Sequence, residues 1–132
     1  MEDGPLIDHV HLRVADFPAS RRFYEAVLAA LGRRIEWEGE TAFECGALYV
    51  EAAGPAGPSR VHLAFAAPDA ATVRAVYAAA LAAGGRDNGP PGERDYHPGY
   101  YGAFVLDPDG NNIEAVFHGE ARRSAASVKV TF

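Results

Sequence analysis

Along residues 7–14, IDHVHLRV, apolar and polar side chains alternate: Val10, Leu12 and Val14 form one row, His9, His11 and Arg13 the other. Successive side chains of a strand point to opposite faces, so this period predicts a β-strand from Ile7 to Val14 with one face on a core. The pattern then lengthens to a helical period. Asp16 to Ser20 supplies a cap region, the apolar stripe runs to about Leu31, and Gly32 is the stop. Short β-like runs follow at RRIEWE, TAFECG and ALYVEAA, punctuated by Gly39 and Gly46. After GPAGPS, Gly54 to Ser59, a turn-rich linker, the order repeats. VHLAFAA reads as a strand, Asp69 to Ala83 as a helix, and GGRDN, YYGAFVL and NNIEAVF as strands, with NGPPGERDYHPG as a long loop. DPDG, Asp107 to Gly110, reads as the hairpin turn joining the last two strands.

The repetition extends to residues. A shift of 53 carries His9 onto His62, Asp16 onto Asp69, Tyr24 onto Tyr77, Leu28 onto Leu81 and Gly32 onto Gly85. Two Ala-rich helices match easily, but the His to Asp spacing of 7 recurs outside them. The chain therefore reads as two βαβββ modules, about 5–53 and 60–118, with a tail at 119–132. The fold class is α+β, a single domain in which the paired modules form a curled mixed sheet around a central cleft.

The strand period places the candidate chemistry. His9 and His11 lie opposite the core row of the first strand, and Tyr49 and Glu51 lie opposite Leu48 and Val50. His62 lies opposite Val61, Leu63 and Phe65, and Glu114 opposite Ile113, Ala115 and Phe117. That face also carries Ala64, Ala66 and Val116, which need cover, so it reads as the inside of a cleft. His9 and Glu51 sit in the first and last strands of module one; His62 and Glu114 do so in module two. Imidazoles with carboxylates suit Zn, Ni, Co, Mn or Fe. His11 and Arg13 read as lining the mouth, His118 as rim. Tyr96, His97, Tyr100 and Tyr101 cluster at the long loop, either as an aromatic lid over a substrate or as packed loop anchors.

Composition narrows the partners. The chain has 132 residues, one cysteine and a formal net charge of −6. Cys45 alone forms no intrachain disulfide and no thiolate cluster. The negative charge opposes phosphate-backbone binding, and no apolar run approaches the ~20 residues of a membrane span. The expectation is a partner that is a small molecule rather than nucleic acid or membrane. MEDGPLIDH carries acidic charge and no apolar signal core, so a cytoplasmic location is expected.

HVHLRVADFPASRRFYEAVLAALG, the HLAF strand and AFVLDPDGNNIEAVFH together resemble the vicinal oxygen chelate superfamily of glyoxalases, bleomycin resistance proteins and extradiol dioxygenases. The resemblance implies a glyoxalase-like fold round a divalent metal held by His9, His62 and Glu114. Glu51 falls where glyoxalase I-like members place a fourth, carboxylate ligand. It also implies a homodimer, with one site built from modules of both subunits. The activity implied first is that of a metal-dependent lyase or isomerase of the lactoylglutathione lyase type, on a small substrate chelating through two oxygens, with Glu51 or Glu114 moving the proton. The alternatives are a drug-binding resistance protein, and a non-haem iron dioxygenase using His9, His62 and Glu114. Arg13, Arg60 and Arg94 are the candidates for a basic pocket should a thiol such as glutathione take part.

Overall fold

The computed structural model describes residues 6–119. Its elements are β1 (Val10–Val14), α1 (Phe17–Ala30), β2 (Trp37–Glu38), β3 (Ala42–Cys45), β4 (Leu48–Ala52), β5 (His62–Ala66), α2 (Ala70–Ala82), β6 (Arg86–Glu93), β7 (Tyr101–Leu106) and β8 (Asn112–Phe117). The expected order of two βαβββ modules is thus the observed one. The alternating SVKVTF segment lies outside the described residues.

Both helices begin on the predicted aspartates. Asp16 accepts the Ala19 N–H at 3.1 Å and Asp69 accepts the Thr72 N–H at 2.7 Å. Each cap satisfies a donor that the first helical turn leaves without a partner. Gly32, at φ +76°, takes the left-handed conformation that ends α1. In each module the helix carries the chain over, so the last strand returns parallel to the first: β1 pairs with β4 and β5 with β8. The sheet orders are β1-β4-β3-β2 and β5-β8-β7-β6.

The modules do not join into one curled sheet. They form two separate four-stranded sheets, and β1 and β5 each remain an edge. What joins them is side-chain packing and one polar turn. Leu12, Val14, Phe23, Tyr24, Val27, Phe43 and Val50 of module one share a single core with Val73, Val76, Val105 and Ile113 of module two. Burial of this size of apolar surface is the main favourable term in folding.

The turn is DPDGN. Asp107 is 1% exposed, and its carboxylate accepts the N–H groups of Asp109 and Asn111, the Asn111 side-chain amide and the Tyr24 hydroxyl of α1. Asn111 Oδ1 in turn accepts the Val61 N–H at 2.7 Å, ahead of β5, and the Asp109 carboxylate accepts the Ala15 N–H at the end of β1. The sequence reads DPDG as a hairpin turn, and it is one. Its carboxylates also clamp module one to module two. Burial and the neighbouring Asp107 carboxylate push the Tyr24 phenol far above its ordinary value, so Tyr24 donates as a neutral hydroxyl.

NGPPGE, read from sequence as loop, is instead the last six of the eight residues of β6. Proline costs a strand least at an edge, where its missing N–H faces no neighbour, and β6 is the outer strand of its sheet. Its pairing with β7 shifts register around Gly89 and Gly92, which absorbs the prolines. No helix among the described residues is long and apolar enough to cross a membrane.

Candidate metal centre and cleft faces

Module two carries the more finished half of the site. His62, on β5, faces away from α2, and Glu114 sits next to it on β8; the strand register opposes Ala64 to Glu114, one same-face step beyond His62. His62 Nε2 and Glu114 Oε1 are 2.9 Å apart. Glu114 is 2% exposed, which a carboxylate tolerates only when its lone pairs are met. Its other oxygen, Oε2, accepts the Tyr100 hydroxyl. Tyr100 sits inside a cage of rings: Tyr96, His97 and His118 lie edge-on to it at 4.8, 5.4 and 5.2 Å. His97 and His118 are themselves joined, Nε2 to Nδ1, at 2.9 Å and stacked at 5.1 Å.

Module one carries a second imidazole–carboxylate pair. His11 Nε2 lies 2.9 Å from Glu51 Oε1, whereas His9 Nδ1 lies 2.8 Å from Asp8. The strand rules put Glu51 opposite Arg13, one same-face step beyond His11. His11 and Glu51 therefore repeat the relation of His62 and Glu114, displaced along the strand from the position that the 53-residue shift assigns. That shift makes Ala64 equivalent to His11, whose partner on β4 is Tyr49. Tyr49 thus holds the place in module one that Glu114 holds in module two.

Tyr49 belongs to a continuous row. Register runs His11 to Tyr49, Tyr49 to Glu44 and Glu44 to Trp37, across all four strands of the first sheet. His11 lies edge-on to Tyr49 at 5.1 Å, and the Trp37 and Tyr49 rings are near parallel, 6.5 Å apart at 19°. Asp8, His9, His11, Glu44 and Tyr49 border an open pocket of about 430 Å³. The equivalent row of module two is Ala64, Glu114, Phe104 and Gly89, with the Arg94 guanidinium 5.3 Å above the Phe104 ring.

The remaining predicted residues distribute as follows. Tyr96 is exposed and packs on Tyr100; His97 holds the loop to the end of β8 through His118. Tyr101 points to the other side of the second sheet, where the Arg74 side chain of α2 donates to its hydroxyl at 3.3 Å. Arg13 is exposed on β1, its backbone N–H bound to Ser59. The sequence places Tyr100 in the loop cluster without a contact. The signal that finds it is geometric: Gly102, two residues on, leaves room beside Glu114, since a Cβ there would lie 3.2 Å from both Glu114 Oε2 and Tyr100 Cε1.

The donor pair fits a metal. Bonds of about 2.0–2.2 Å to nitrogen and oxygen separate adjacent donors of an octahedral ion by roughly 3 Å. The 2.9 Å between His62 Nε2 and Glu114 Oε1 matches this spacing, and binding an ion there would displace the proton between them. Among the described residues, however, no group of three His, Cys, Asp or Glu side chains converges within one chain. Cys45 is buried, and burial pushes its thiol up, so it is not a competing ligand.

Comparison with known proteins places most of the chain in one family. The family model described as Glyoxalase/Bleomycin resistance protein/Dioxygenase superfamily matches residues 6–115. A crystal structure of a glyoxalase/bleomycin resistance protein from Albidiferax ferrireducens T118 is similar at 31% identity, covering 86% of this chain and 99% of that one, with a TM-score of 0.75. A glyoxalase-related enzyme from Fulvimarina pelagi shares the fold at 22% identity, 96% coverage of both chains and a TM-score of 0.68. A glyoxalase I mutant from Zea mays does so at 24% identity and a TM-score of 0.63, covering 88% of this chain and 47% of that one. No curated protein matches by sequence.

Proposed function

The chain belongs to the glyoxalase/bleomycin resistance protein/dioxygenase superfamily, and from that premise we propose that it is a metal-dependent enzyme of glyoxalase type, a lyase or isomerase acting on a small substrate. The observation that carries this reading is the His62–Glu114 pair, set at ligand spacing with the carboxylate buried and its second oxygen already bonded. A surface ion pair needs no such preparation, whereas a ligating carboxylate does.

His62 and Glu114 would hold a divalent ion such as Zn, Ni, Co, Mn or Fe, and His9 would complete the set. Bound there, the ion supplies Lewis acidity to a substrate that presents two oxygens. His9, just ahead of β1, and the aromatic row belong to module one, whereas His62 belongs to module two, so we assign completion of the set to a second copy, in a homodimer. That β1 and β5 are each an edge strand of their sheet supports this, since a second copy can approach either edge. Glu51, in contact with His11, would take or return a proton, as would Glu114 in the alternative assignment. Tyr49 would border the substrate, with Trp37 stacked beside it.

A second reading has an observation of its own. With Tyr49 at the place equivalent to Glu114, the symmetric set contains two histidines and one carboxylate, the donor type of a non-haem iron dioxygenase. Metal analysis separates the readings. Protein purified without chelator should carry roughly one divalent ion per chain, lost in His62→Ala and in Glu114→Gln. Zinc, nickel or cobalt supports the lyase or isomerase; iron with oxygen uptake supports the dioxygenase. Absence of any metal after reloading leaves a drug-binding resistance protein.

A further inference from the structure

We infer that Tyr100 is a positioning residue for the metal centre: it holds Glu114 to a single ligating oxygen. The inference rests on the metal reading above and adds a residue to it. Glu114 has two oxygens with different fates. Oε1 faces His62 Nε2 at 2.9 Å, while Oε2 accepts the Tyr100 hydroxyl. The carboxylate is therefore fixed in rotation about its last bond, with Oε1 presented beside the imidazole and Oε2 turned away from it.

Two features show that the arrangement is constructed rather than incidental. The ring is held on three sides by Tyr96, His97 and His118, and the His97–His118 bond ties its loop to the end of the strand that carries Glu114. Position 102, between the two partners, is glycine, and any side chain there would press on both Oε2 and the tyrosine ring. Outer partners of this sort orient a ligand and raise its affinity for metal, and losing one costs about 10–100-fold in binding.

The test is titration of the whole chain with Co(II), followed by visible absorption and calorimetry, for the wild type, Tyr100→Phe, Gly102→Ala and Tyr77→Phe. Tyr77→Phe is the control: it removes a tyrosine–carboxylate bond of the same module, to Asp87 at 3.0 Å, outside the cleft. Tyr100→Phe should weaken Co(II) binding roughly 10–100-fold. It should also change the cobalt bands, because a freed Oε2 can join the ion. Gly102→Ala should shift both readouts in the same direction without removing any hydrogen-bonding group, and Tyr77→Phe should leave both unchanged. Apo-protein melting, recorded alongside, separates loss of the site from loss of the fold. Unaltered affinity and spectrum in Tyr100→Phe overturn the inference while leaving the metal reading intact. Failure of the wild type to bind Co(II) removes the metal reading, and the inference with it.

Discussion

Tyr24→Phe removes one oxygen from the junction between the modules, and the structure sets the size of the effect. The Tyr24 hydroxyl is buried on α1 and donates to Asp107 Oδ2 in the DPDG turn. The substitution opens no cavity beyond the hydroxyl. Asp107 keeps the backbone N–H groups of Asp109 and Asn111 at 2.9 and 2.8 Å and the Asn111 amide at 3.1 Å, so its charge is not orphaned. What disappears is one hydrogen bond to a buried charged group, worth about 1.5–3 kcal/mol. With three other bonds remaining, a loss of about 2 kcal/mol is expected, lowering Tm by roughly 6–8 °C for a domain of this size. Urea unfolding at pH 7, with the slope checked for constancy, measures it. A second arm uses pH. Because the phenol is raised in the fold, above pH ~10 the unfolded chain loses a proton that the folded chain keeps, and stability falls as pH rises, by about 1.4 kcal/mol per unit for one such phenol. Tyr77 and Tyr100 are shifted in the same direction and add to the slope, so Tyr24→Phe should reduce it without abolishing it. A change within about 0.5 kcal/mol at pH 7, with an unaltered alkaline slope, refutes the clamp.

Three further outcomes follow from the same structure. Ser20 is fully buried on α1 and its hydroxyl has no hydrogen-bond partner among the described residues, so Ser20→Ala should raise stability by about 1 kcal/mol in the same urea assay. Gly85→Ala would place a Cβ 2.7 Å from the Phe23 ring and 2.8 Å from the Ala80 carbonyl oxygen, neither of which has room to yield. It should cost roughly 2 kcal/mol by thermal melting. Glu51→Gln should leave metal content unchanged but reduce turnover, since Glu51 bonds His11 and lies beyond the position equivalent to Glu114. Loss of metal in that variant would return Glu51 to the ligand set.

Much of the local chemistry was legible in the sequence. The period-2 rows, the two aspartate caps and the glycine stops each act over a few residues, and the repeat at a shift of 53 multiplied that evidence, so two βαβββ modules follow from the chain alone. The same period set the faces of His11, Glu51, His62 and Glu114. NGPPGE misled because proline's cost depends on whether a neighbouring strand needs its N–H, a fact about sheet position that no local pattern records.

Which residues on a shared face meet was settled only by tertiary structure. Sequence pairs His9 with Glu51, but the Glu51 carboxylate meets His11, diagonal to it across the strands, and register sets Tyr49 where a second carboxylate would stand. Register is a relation between strands far apart in the chain, and a shift of two residues preserves every face while changing every partner. Tyr100 on Glu114 and Tyr24 on Asp107 are likewise contacts across 14 and 83 residues, fixed by packing. The sequence by itself thus determined the modules and the kinds of atom on each face. The fold decided which of those atoms touch, because distance between side chains is a property of packed elements and not of the spacing between their letters.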